Sequence, residues 1–298
     1  MKNQTACIVV TYNRKALLAS NLQALRNQKE KGDIFVIDNG STDGTRELLS
    51  EWIERKEIIY KNTGKNLGGA GGFAFGIAEA VRCGYSYLWI MDDDTIPYPD
   101  ALASLLGKAK RLNGEFSFLC SVVKWKDGSF CRMNLPVFSD QWPDQICEEK
   151  EGLISVCSCS FVSCLINAEY IKKAGLPIAE FFIYGDDAEY TERLSGLADA
   201  YLDLTSFAEH RTPANISDDI SRESRERLGR YYYRYRNCFY IAKKKGRKDV
   251  LHYLYITCKM LVKILLFSEN CRWKRISVLL SGVFAGISFH PVIQYVDR

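Results

Sequence analysis

Few parts of the sequence are long and apolar enough to suggest a membrane span. The best candidate, residues 276–293, is short and is interrupted by serine, glycine, histidine and proline, so we predict an amphipathic helix that lies on a surface. The N-terminus lacks the charged and apolar segments of a secretory signal. We therefore expect a cytoplasmic protein that makes peripheral contact with the anionic inner face of the cell membrane.

Cysteine pairs with the spacing of a zinc site are also missing, although the chain contains 11 cysteines. Several of them, such as Cys7 and Cys120, stand in apolar stretches, where a free cysteine behaves as a small hydrophobic residue. We expect reduced thiols, as is usual in cytosolic proteins. The composition, 47% hydrophobic and 26% charged, is that of an ordinary globular protein and excludes extensive disorder.

Strands and helices alternate in the first third of the chain. Apolar runs predict strands at 5–12, 33–38, 57–61 and 85–91, and helices are predicted at 15–28, at 45–55 and from the glycine-rich loop 66–72 to residue 83. This order predicts an α/β fold with a parallel, doubly wound sheet. Ligands bind such sheets at the carboxyl ends of the strands, where Thr11, Arg14, Asp38, Asn66 and Asp92 fall.

The rest of the chain is less regular. Its predicted elements are a helix at 101–112, strands at 116–125, 154–166 and 201–204, helices at 167–174 and 185–196, a long loop or hairpin at 126–153 and a loop carrying His210. After about Ser221 the pattern becomes helical, and no free linker is evident. We predict a catalytic domain at 1–220 and a helical region at 221–298 packed on it.

Three consecutive carboxylates, Asp92, Asp93 and Asp94, follow the fourth predicted strand. Like charges at the end of a buried strand repel one another unless a cation compensates them. A hard divalent ion such as Mn²⁺ or Mg²⁺ prefers oxygen ligands and keeps positions open for phosphates. The pattern favours a metal site over a solvated acidic turn.

Two further motifs each allow two interpretations. The glycine-rich segment 66–73 precedes a helix, so it can receive an anion at the helix N-terminus or form a tight turn. Asp186 and Asp187 open another helix, where they can cap its first turn or supply a general base. His210 follows the last predicted strand and can complete the metal shell.

Basic residues are concentrated between residues 222 and 248, and Tyr231–Asn237 mixes them with aromatic residues. Such a segment suits stacking on nucleic-acid bases or contact with an anionic membrane interface. It also suits a packed helix with one basic face, which is the interpretation we favour, and we expect no nucleic-acid partner.

Together these residues resemble the inverting family 2 glycosyltransferases of GT-A fold. The resemblance covers about residues 5–215 and is carried by residues 10–14, 38–44, 92–94 and 186–189. Within the family, residues 66–73, 91–94 and 185–190 look most like the bacterial galactofuranosyltransferases. The resemblance implies a Rossmann-like mixed sheet flanked by helices, followed here by a C-terminal helical extension.

The resemblance also implies roles for single residues. Thr11, Arg14 and Asp38 would bind the uridine or its ribose, and Asn66, Gly68 and Asp93 would lie near the nucleotide-sugar donor. The remaining implied roles are metal ligands on the diphosphate for Asp92, Asp94 and His210, a general base for Asp187, and orientation of the acceptor hydroxyl for Asp186.

The implied reaction is metal-dependent transfer of galactofuranose from UDP-galactofuranose to a hydroxyl of a cell-surface glycan or lipid-linked acceptor. The paired tryptophans expected before the donor-sugar pocket are replaced here by Cys157–Ser163. A rhamnosyltransferase using dTDP-rhamnose, or another hexosyl donor, is therefore the alternative. A nucleic-acid-binding protein without enzymatic activity is a third hypothesis.

Overall fold

Apolar runs form one large sheet in the structure, a computed structural model that describes residues 4–140, 142–143, 152–216 and 218–296. The strands are β1 (Thr5–Thr11), β2 (Asp33–Asp38), β3 (Ile58–Asn62), β4 (Tyr87–Asp92), β5 (Thr95–Pro97), β6 (Phe118–Trp125), β7 (Val137–Phe138), β8 (Leu153–Ser158), β9 (Cys164–Asn167) and β10 (Ala200–His210). The helices are α1 (Lys15–Arg26), α2 (Thr45–Leu48), α3 (Ser50–Glu54), α4 (Gly68–Arg82), α5 (Ala101–Arg111), α6 (Ala168–Ala174), α7 (Asp186–Ser195), α8 (Arg230–Lys245), α9 (Arg247–Phe267) and α10 (Arg272–Ser288).

The sheet is mixed. Its strand order is β3-β2-β1-β4-β9-β6-β10-β8-β7, with β5 paired to β10. The first four strands are parallel, but β9 runs antiparallel between β4 and β6, and β8 runs antiparallel to β10. The parallel arrangement predicted from the first third of the chain is confirmed for β1, β2, β3 and β4. The second half of the chain adds antiparallel strands to the same sheet, which the alternation of the first elements does not predict. The mixed sheet implied by the resemblance is confirmed.

Both faces of β1 are buried, which fixes its register. Ile8 and Val10 pack in one apolar cluster with Phe73 of α4, whereas Cys7 and Val9 pack in another with Leu18 of α1. A shift by one residue would exchange these two sets of side chains. The packing therefore determines which residues stand at the carboxyl end of the strand.

Helix α4 begins earlier than predicted. The sequence predicts a glycine-rich loop at 66–72, yet the helix starts at Gly68. A Cβ atom on Gly72 would lie 2.6 Å from Cγ1 of Val10, and one on Gly76 would lie 2.7 Å from Cγ1 of Ile37. Glycine lets the helix pack this closely on the sheet, and this packing outweighs the low helix propensity of glycine.

Three other element boundaries differ from the prediction. The strand predicted at 154–166 is two strands, β8 and β9, separated by residues 159–163. Strand β10 extends to His210, so this histidine ends a strand and does not lie in a loop. The short strand β5 is not predicted. Part of the loop or hairpin predicted at 126–153, residues 141 and 144–151, lies outside the described residues.

The C-terminal helices pack on one another and on the sheet domain. Helix α10 contacts α8 closely, because a Cβ on Gly282 would lie only 2.6 Å from the carbonyl oxygen of Tyr232. After α10 the chain returns to the sheet domain, where the amide of Leu176 donates to the carbonyl of Gln294 over 2.7 Å. The division into domains at residue 220 stays a prediction. The hydrogen bond between Leu176 and Gln294 joins the two predicted domains across that boundary.

The best membrane candidate differs from the one chosen from the sequence. By length and composition α9 is apolar enough to cross a membrane, and most of it is exposed. Its exposed hydrophobic residues include Leu251, Tyr255, Val262, Leu266 and Phe267. Residues 276–293, predicted as an amphipathic surface helix, fall mostly in α10, which packs Gly282 and Gly286 against α8 and exposes Phe284 and Ile287. Their contact with a membrane stays a prediction.

Candidate active site

The carboxyl ends of β1 and β4 meet at the acidic motif. Thr11, the last residue of β1, donates its hydroxyl to Oδ2 of Asp93 over 2.7 Å. Arg14, at the start of α1, donates from Nη1 to Asp94 Oδ2 over 2.8 Å and to Asp93 Oδ1 over 3.3 Å. The parallel pairing of β1 with β4 therefore places a guanidinium against two buried carboxylates.

A nitrogen ligand reaches the same point from the end of β10. The imidazole Nε2 of His210 lies 3.0 Å from Oδ1 of Asp94. One ligand atom each from Asp92, Asp94 and His210 lie within 4.8 Å of one another. Two carboxylate oxygens and one imidazole nitrogen form a donor set that suits Mn²⁺ or Mg²⁺, and three ligands leave positions for other oxygen atoms. The chemistry of these side chains fits the implied metal.

Asn134 orients His210. Its Oδ1 accepts from Nδ1 of the imidazole over 2.7 Å, and its Nδ2 donates to Ser160 Oγ over 2.8 Å. A hydrogen bond on Nδ1 leaves Nε2 facing the carboxylates, which is how metal-binding histidines are commonly held. Nothing in the irregular sequence around Asn134 predicts this role.

The carboxylates have strongly altered acidities. Burial, with the neighbouring charge of Asp94, raises the pKa of Asp92 to about 7, and burial raises the pKa of Asp93 to about 6. Burial would also raise the pKa of Asp94, but its hydrogen bond to His210 and the charges of His210 and Arg14 lower it. Burial lowers the pKa of His210, whereas its hydrogen bond to Asp94 raises it, in balance to about 10. Such perturbation is typical of functional sites.

Asp38 stands at the end of β2, next to β1 in the sheet, and is fully buried. Its Oδ1 accepts from the amide of Ser41 over 2.7 Å, and its Oδ2 accepts from the hydroxyl of Tyr60 over 2.5 Å. Burial and this hydrogen bond raise the pKa of Tyr60 to about 12. The side chain is thus rigidly held beside the acidic motif, and Tyr60 is a partner that the sequence pattern does not indicate.

The start of α4 lies against the segment that precedes α7. Asn66 Oδ1 accepts from the amide of Gly68 over 2.8 Å, and Asn39 Nδ2 donates to the Gly68 carbonyl over 2.8 Å. Gly68 has φ +73°, and a Cβ there would lie 2.1 Å from the carbonyl oxygen of Phe182. The position therefore requires glycine both for its backbone conformation and for the close approach.

Asp186 and Asp187 occupy the first turn of α7. Asp186 is buried and Asp187 is half-buried. Burial raises the pKa of both carboxyls, and the charges of Asp187 and Asp92 add to the shift at Asp186. The helix N-terminus thus lies within electrostatic reach of the candidate metal-binding triad, Asp92, Asp94 and His210.

The structure brings the sequence-predicted residues to one edge of the sheet. Around the triad lie Thr11, Arg14 and Asp93, with Asp38 on the neighbouring strand end. Asn39 and Phe182 contact the start of α4, and Tyr60 contacts Asp38. Asn39 belongs to the motif at 38–44, whereas Phe182 and Tyr60 carry no sequence signal of their own. A candidate metal site at the strand ends, beside a helix N-terminus with two carboxyls of raised pKa, offers the chemistry needed to bind phosphate groups and to accept a proton.

Comparisons with known proteins agree with this architecture. Residues 6–163 match the family described as glycosyl transferase family 2. The galactofuranosyltransferase GlfT1 of Mycolicibacterium smegmatis is 30% identical over 202 residues, covering 64% of this chain and 65% of its own length. The protein of the same name from Mycobacterium tuberculosis is 29% identical over 272 residues, covering 84% of this chain and 86% of its own. The abequosyltransferase RfbV of Salmonella typhimurium is 34% identical over 102 residues, 33% of this chain and 30% of its own length.

Solved structures share the fold at low sequence identity. The mannosyltransferase PcManGT from Pyrobaculum calidifontis, in complex with GDP-Man and Mn²⁺, has a TM-score of 0.58 at 15% identity, covering 97% of this chain and 88% of its own. TarS of S. aureus, residues 1–349, has a TM-score of 0.56 at 14% identity, covering 97% of this chain and 72% of its own. The fold and the site define a glycosyltransferase of GT-A fold. The chain belongs to glycosyl transferase family 2.

Proposed function

We propose that the protein is an inverting, metal-dependent glycosyltransferase that uses a uridine-diphosphate sugar. The observation that carries the proposal is the convergence of Asp92, Asp94 and His210 at the carboxyl edge of the sheet. The solved GalNAc-T7 complex with UDP, GalNAc and Mn²⁺ shares the fold, with a TM-score of 0.58 at 13% identity over 70% of this chain and 44% of its own.

The donor site lies across the ends of β1, β2 and β4. Asp92, Asp94 and His210 would hold Mn²⁺ or Mg²⁺, which would supply positive charge to neutralise the departing diphosphate. Thr11, Arg14 and Asp38 bind the uridine or its ribose, and Asp93 fixes Thr11 and Arg14 by the hydrogen bonds described above. Asn66 and Gly68 shape the backbone at the start of α4, next to the donor.

The acceptor hydroxyl is activated from the first turn of α7. Asp187 removes the proton of the acceptor hydroxyl. At the same time the hydroxyl oxygen forms a bond to the anomeric carbon of the donor sugar, and the bond from that carbon to the diphosphate breaks. A single displacement of this kind inverts the anomeric configuration. Burial raises the pKa of Asp187, which suits a base that must accept a proton near neutral pH. Asp186 orients the hydroxyl.

Galactofuranose is the donor sugar that the comparisons favour. The two GlfT1 relatives are named galactofuranosyltransferases, and the longer alignment covers most of both chains. The abequosyltransferase match is limited to a third of this chain, so a different deoxyhexosyl donor such as dTDP-rhamnose is the second candidate. The acceptor we propose is a hydroxyl of a cell-surface or lipid-linked glycan.

The exposed face of α9 fits the membrane expected for a lipid-linked acceptor. Leu251, Leu266 and Phe267 are each more than three-fifths exposed. Basic residues on and beside α9, such as Lys248 and Lys259, complement anionic head groups. We therefore place α9 on the inner leaflet, with the catalytic site in the cytoplasm.

A nucleotide-sugar panel tests the proposal. Purified protein with Mn²⁺ and a glycan acceptor should release UDP from UDP-galactofuranose, and EDTA should stop the release. Release of dTDP from dTDP-rhamnose alone would favour the second donor. Absence of metal-dependent UDP binding in calorimetry would reject the uridine-nucleotide proposal. The Asp94→Ala variant supplies a metal-site control, and strong RNA binding that Asp94→Ala leaves unchanged would instead support the nucleic-acid hypothesis.

A further inference from the structure

A strained turn lies between the donor side of the proposed site, at α4, and the proposed base on α7. The turn, residues 182–185, directly precedes Asp186. Phe182 has φ +64° and Tyr184 has φ +69°, and both are bulky residues in the left-handed region, followed by Gly185 at φ +79°. Non-glycine residues adopt this conformation at a cost and keep it only when surrounding contacts impose it.

Asn237 of α8 supplies most of these contacts. It is fully buried, and its Nδ2 donates to the carbonyl oxygens of Phe181, Ile183 and Tyr184 over 3.0, 3.1 and 2.8 Å. Three acceptors around one amide nitrogen fix the direction of the backbone on both sides of the turn. The Phe181 carbonyl has further donors in Ile183 and Arg236, so loss of this amide would be felt most at the carbonyls of Ile183 and Tyr184.

The orientation of the Asn237 side chain is itself fixed. Its Oδ1 accepts from Nε of Arg236 over 3.0 Å, so the amide cannot be flipped without losing bonds on both ends. Arg236 also donates from Nη2 to the carbonyl oxygens of Glu180 and Phe181. Arg236 and Asn237 of α8 therefore bind backbone carbonyls within residues 180–184, which lead into Asp186.

Aromatic contacts support the turn from the same helix. The ring of Phe182 stacks on Tyr233, with centroids 4.8 Å apart, and the guanidinium of Arg234 lies 5.7 Å from the ring centre of Tyr184. On the opposite side the carbonyl of Phe182 accepts from the amide of Ala70 in α4 over 3.2 Å. The turn is thus held between the donor-side helix α4 and the C-terminal helix α8.

We propose that Asn237 is a positioning residue that sets where the Asp186 and Asp187 carboxylates stand relative to the donor. The inference rests on the proposed function and extends it, because it gives the C-terminal helices a part in the transfer step. Misplacement of a catalytic group by about 1 Å can cost about 100-fold in rate. Asn237 is fully buried and so offers no surface to donor or acceptor, and its effect should therefore appear in turnover and not in donor affinity.

The test compares Asn237→Ala with wild-type protein. The measurements are kcat per UDP-binding site, with sites counted by calorimetric titration of UDP in Mn²⁺, and the affinity for UDP. We expect kcat per site to fall about tenfold or more, with UDP affinity within about twofold of wild type. The control is Thr257→Val, since the buried Thr257 hydroxyl donates to the carbonyl of Tyr253 within α9, whereas the turn is held by α8 and α4.

A second variant, Phe182→Gly, tests the same inference if Asn237→Ala does not fold. Phe182→Gly relieves the left-handed strain at that position and removes the ring that stacks on Tyr233, so the turn is free to move while the fold is spared. We expect the same fall in kcat per site. Unchanged kcat per site in soluble variants, or a loss of UDP sites that accounts for all lost activity, would overturn the inference. An inactive wild type would overturn the proposed function and this inference with it.

Discussion

His210 and Asp94 are 116 residues apart in the chain, yet Nε2 of the one lies 3.0 Å from Oδ1 of the other. The contact exists because β10 ends beside β5, whose first residue, Thr95, pairs with His210 and follows Asp94 directly. A strand that the sequence pattern does not reveal therefore brings the nitrogen ligand to the acidic motif.

The partner of His210 gives the first prediction. Asn134→Leu removes the oxygen that accepts from Nδ1 of the imidazole. Loss of such a supporting hydrogen bond commonly weakens metal affinity by about 10- to 100-fold. Titration with Mn²⁺ in the presence of UDP measures the change. Asn27→Leu, an exposed position at the end of α1, is the matched control, and equal affinities for the two variants would contradict the orienting role.

Metal binding should strengthen as the pH rises from 6 to 8. In the metal-free protein the pKa of Asp92 is about 7 and that of His210 is about 10, so both carry protons that a metal must displace. Higher pH removes the competing protons, which favours the metal-bound form. Calorimetry in buffers of different ionisation enthalpy should detect proton release at pH 7. Binding that weakens with rising pH, or that releases no protons, would contradict this assignment of ligands.

Gly68 should tolerate no side chain. Gly68→Ala places a Cβ 2.1 Å from the Phe182 carbonyl oxygen in a left-handed backbone conformation. We expect a loss of at least about 2 kcal/mol in the free energy of unfolding, the scale of overpacking combined with backbone strain. Denaturant unfolding measures it.

Gly69→Ala is the matched control for this prediction. A Cβ at that position meets no atom within 4 Å, and its backbone is helical. Because alanine is the better helix former, Gly69→Ala should be neutral or slightly stabilising. Similar free energies of unfolding for the two variants would show that the close approach of Phe182 does not exclude a side chain at Gly68.

Substitutions of the two carboxylates of α7 should have different effects on the kinetic constants. Asp187→Asn should lower kcat by about 100- to 10,000-fold, the usual contribution of a general base, while donor affinity stays near that of wild type. Asp186→Asn should have a smaller effect on kcat and a larger effect on acceptor KM. Activity that survives in Asp187→Asn but not in Asp186→Asn would transfer the role of base to Asp186.

The exposed face of α9 should bind anionic vesicles. Replacing Leu266 and Phe267 together by serine removes two large exposed side chains and should weaken binding to vesicles containing phosphatidylglycerol about tenfold or more. Co-sedimentation measures this binding. Leu48 and Leu197, both 46% exposed on the sheet domain, provide the control when they are replaced in the same way. Equal loss in both double variants would argue against α9 as the contact surface.

The strand ends could be predicted from the sequence because apolar runs and the polar residues that follow them are local signals. Asp38 and Asp92 follow such runs directly. The start of α4 could not, because its glycines disfavour a helix locally and are accepted only for the close packing on β1 and β2. Asn134 and Asn237 could not either, since a buried amide is recognised by its distant partners and not by its neighbours in the chain.

The strand order also determines when a newly synthesised chain can become active. The acidic motif is synthesised early. Strand β4 can pair with β9, and the candidate triad can form with the end of β10, only after those later strands are made. The turn before Asp186 likewise gains its contacts only after α8 is made. Such distant contacts form late in folding. A translation product that ends between His210 and Asn237 therefore carries the proposed donor-binding residues without the helix proposed to align the base, so it should transfer no sugar.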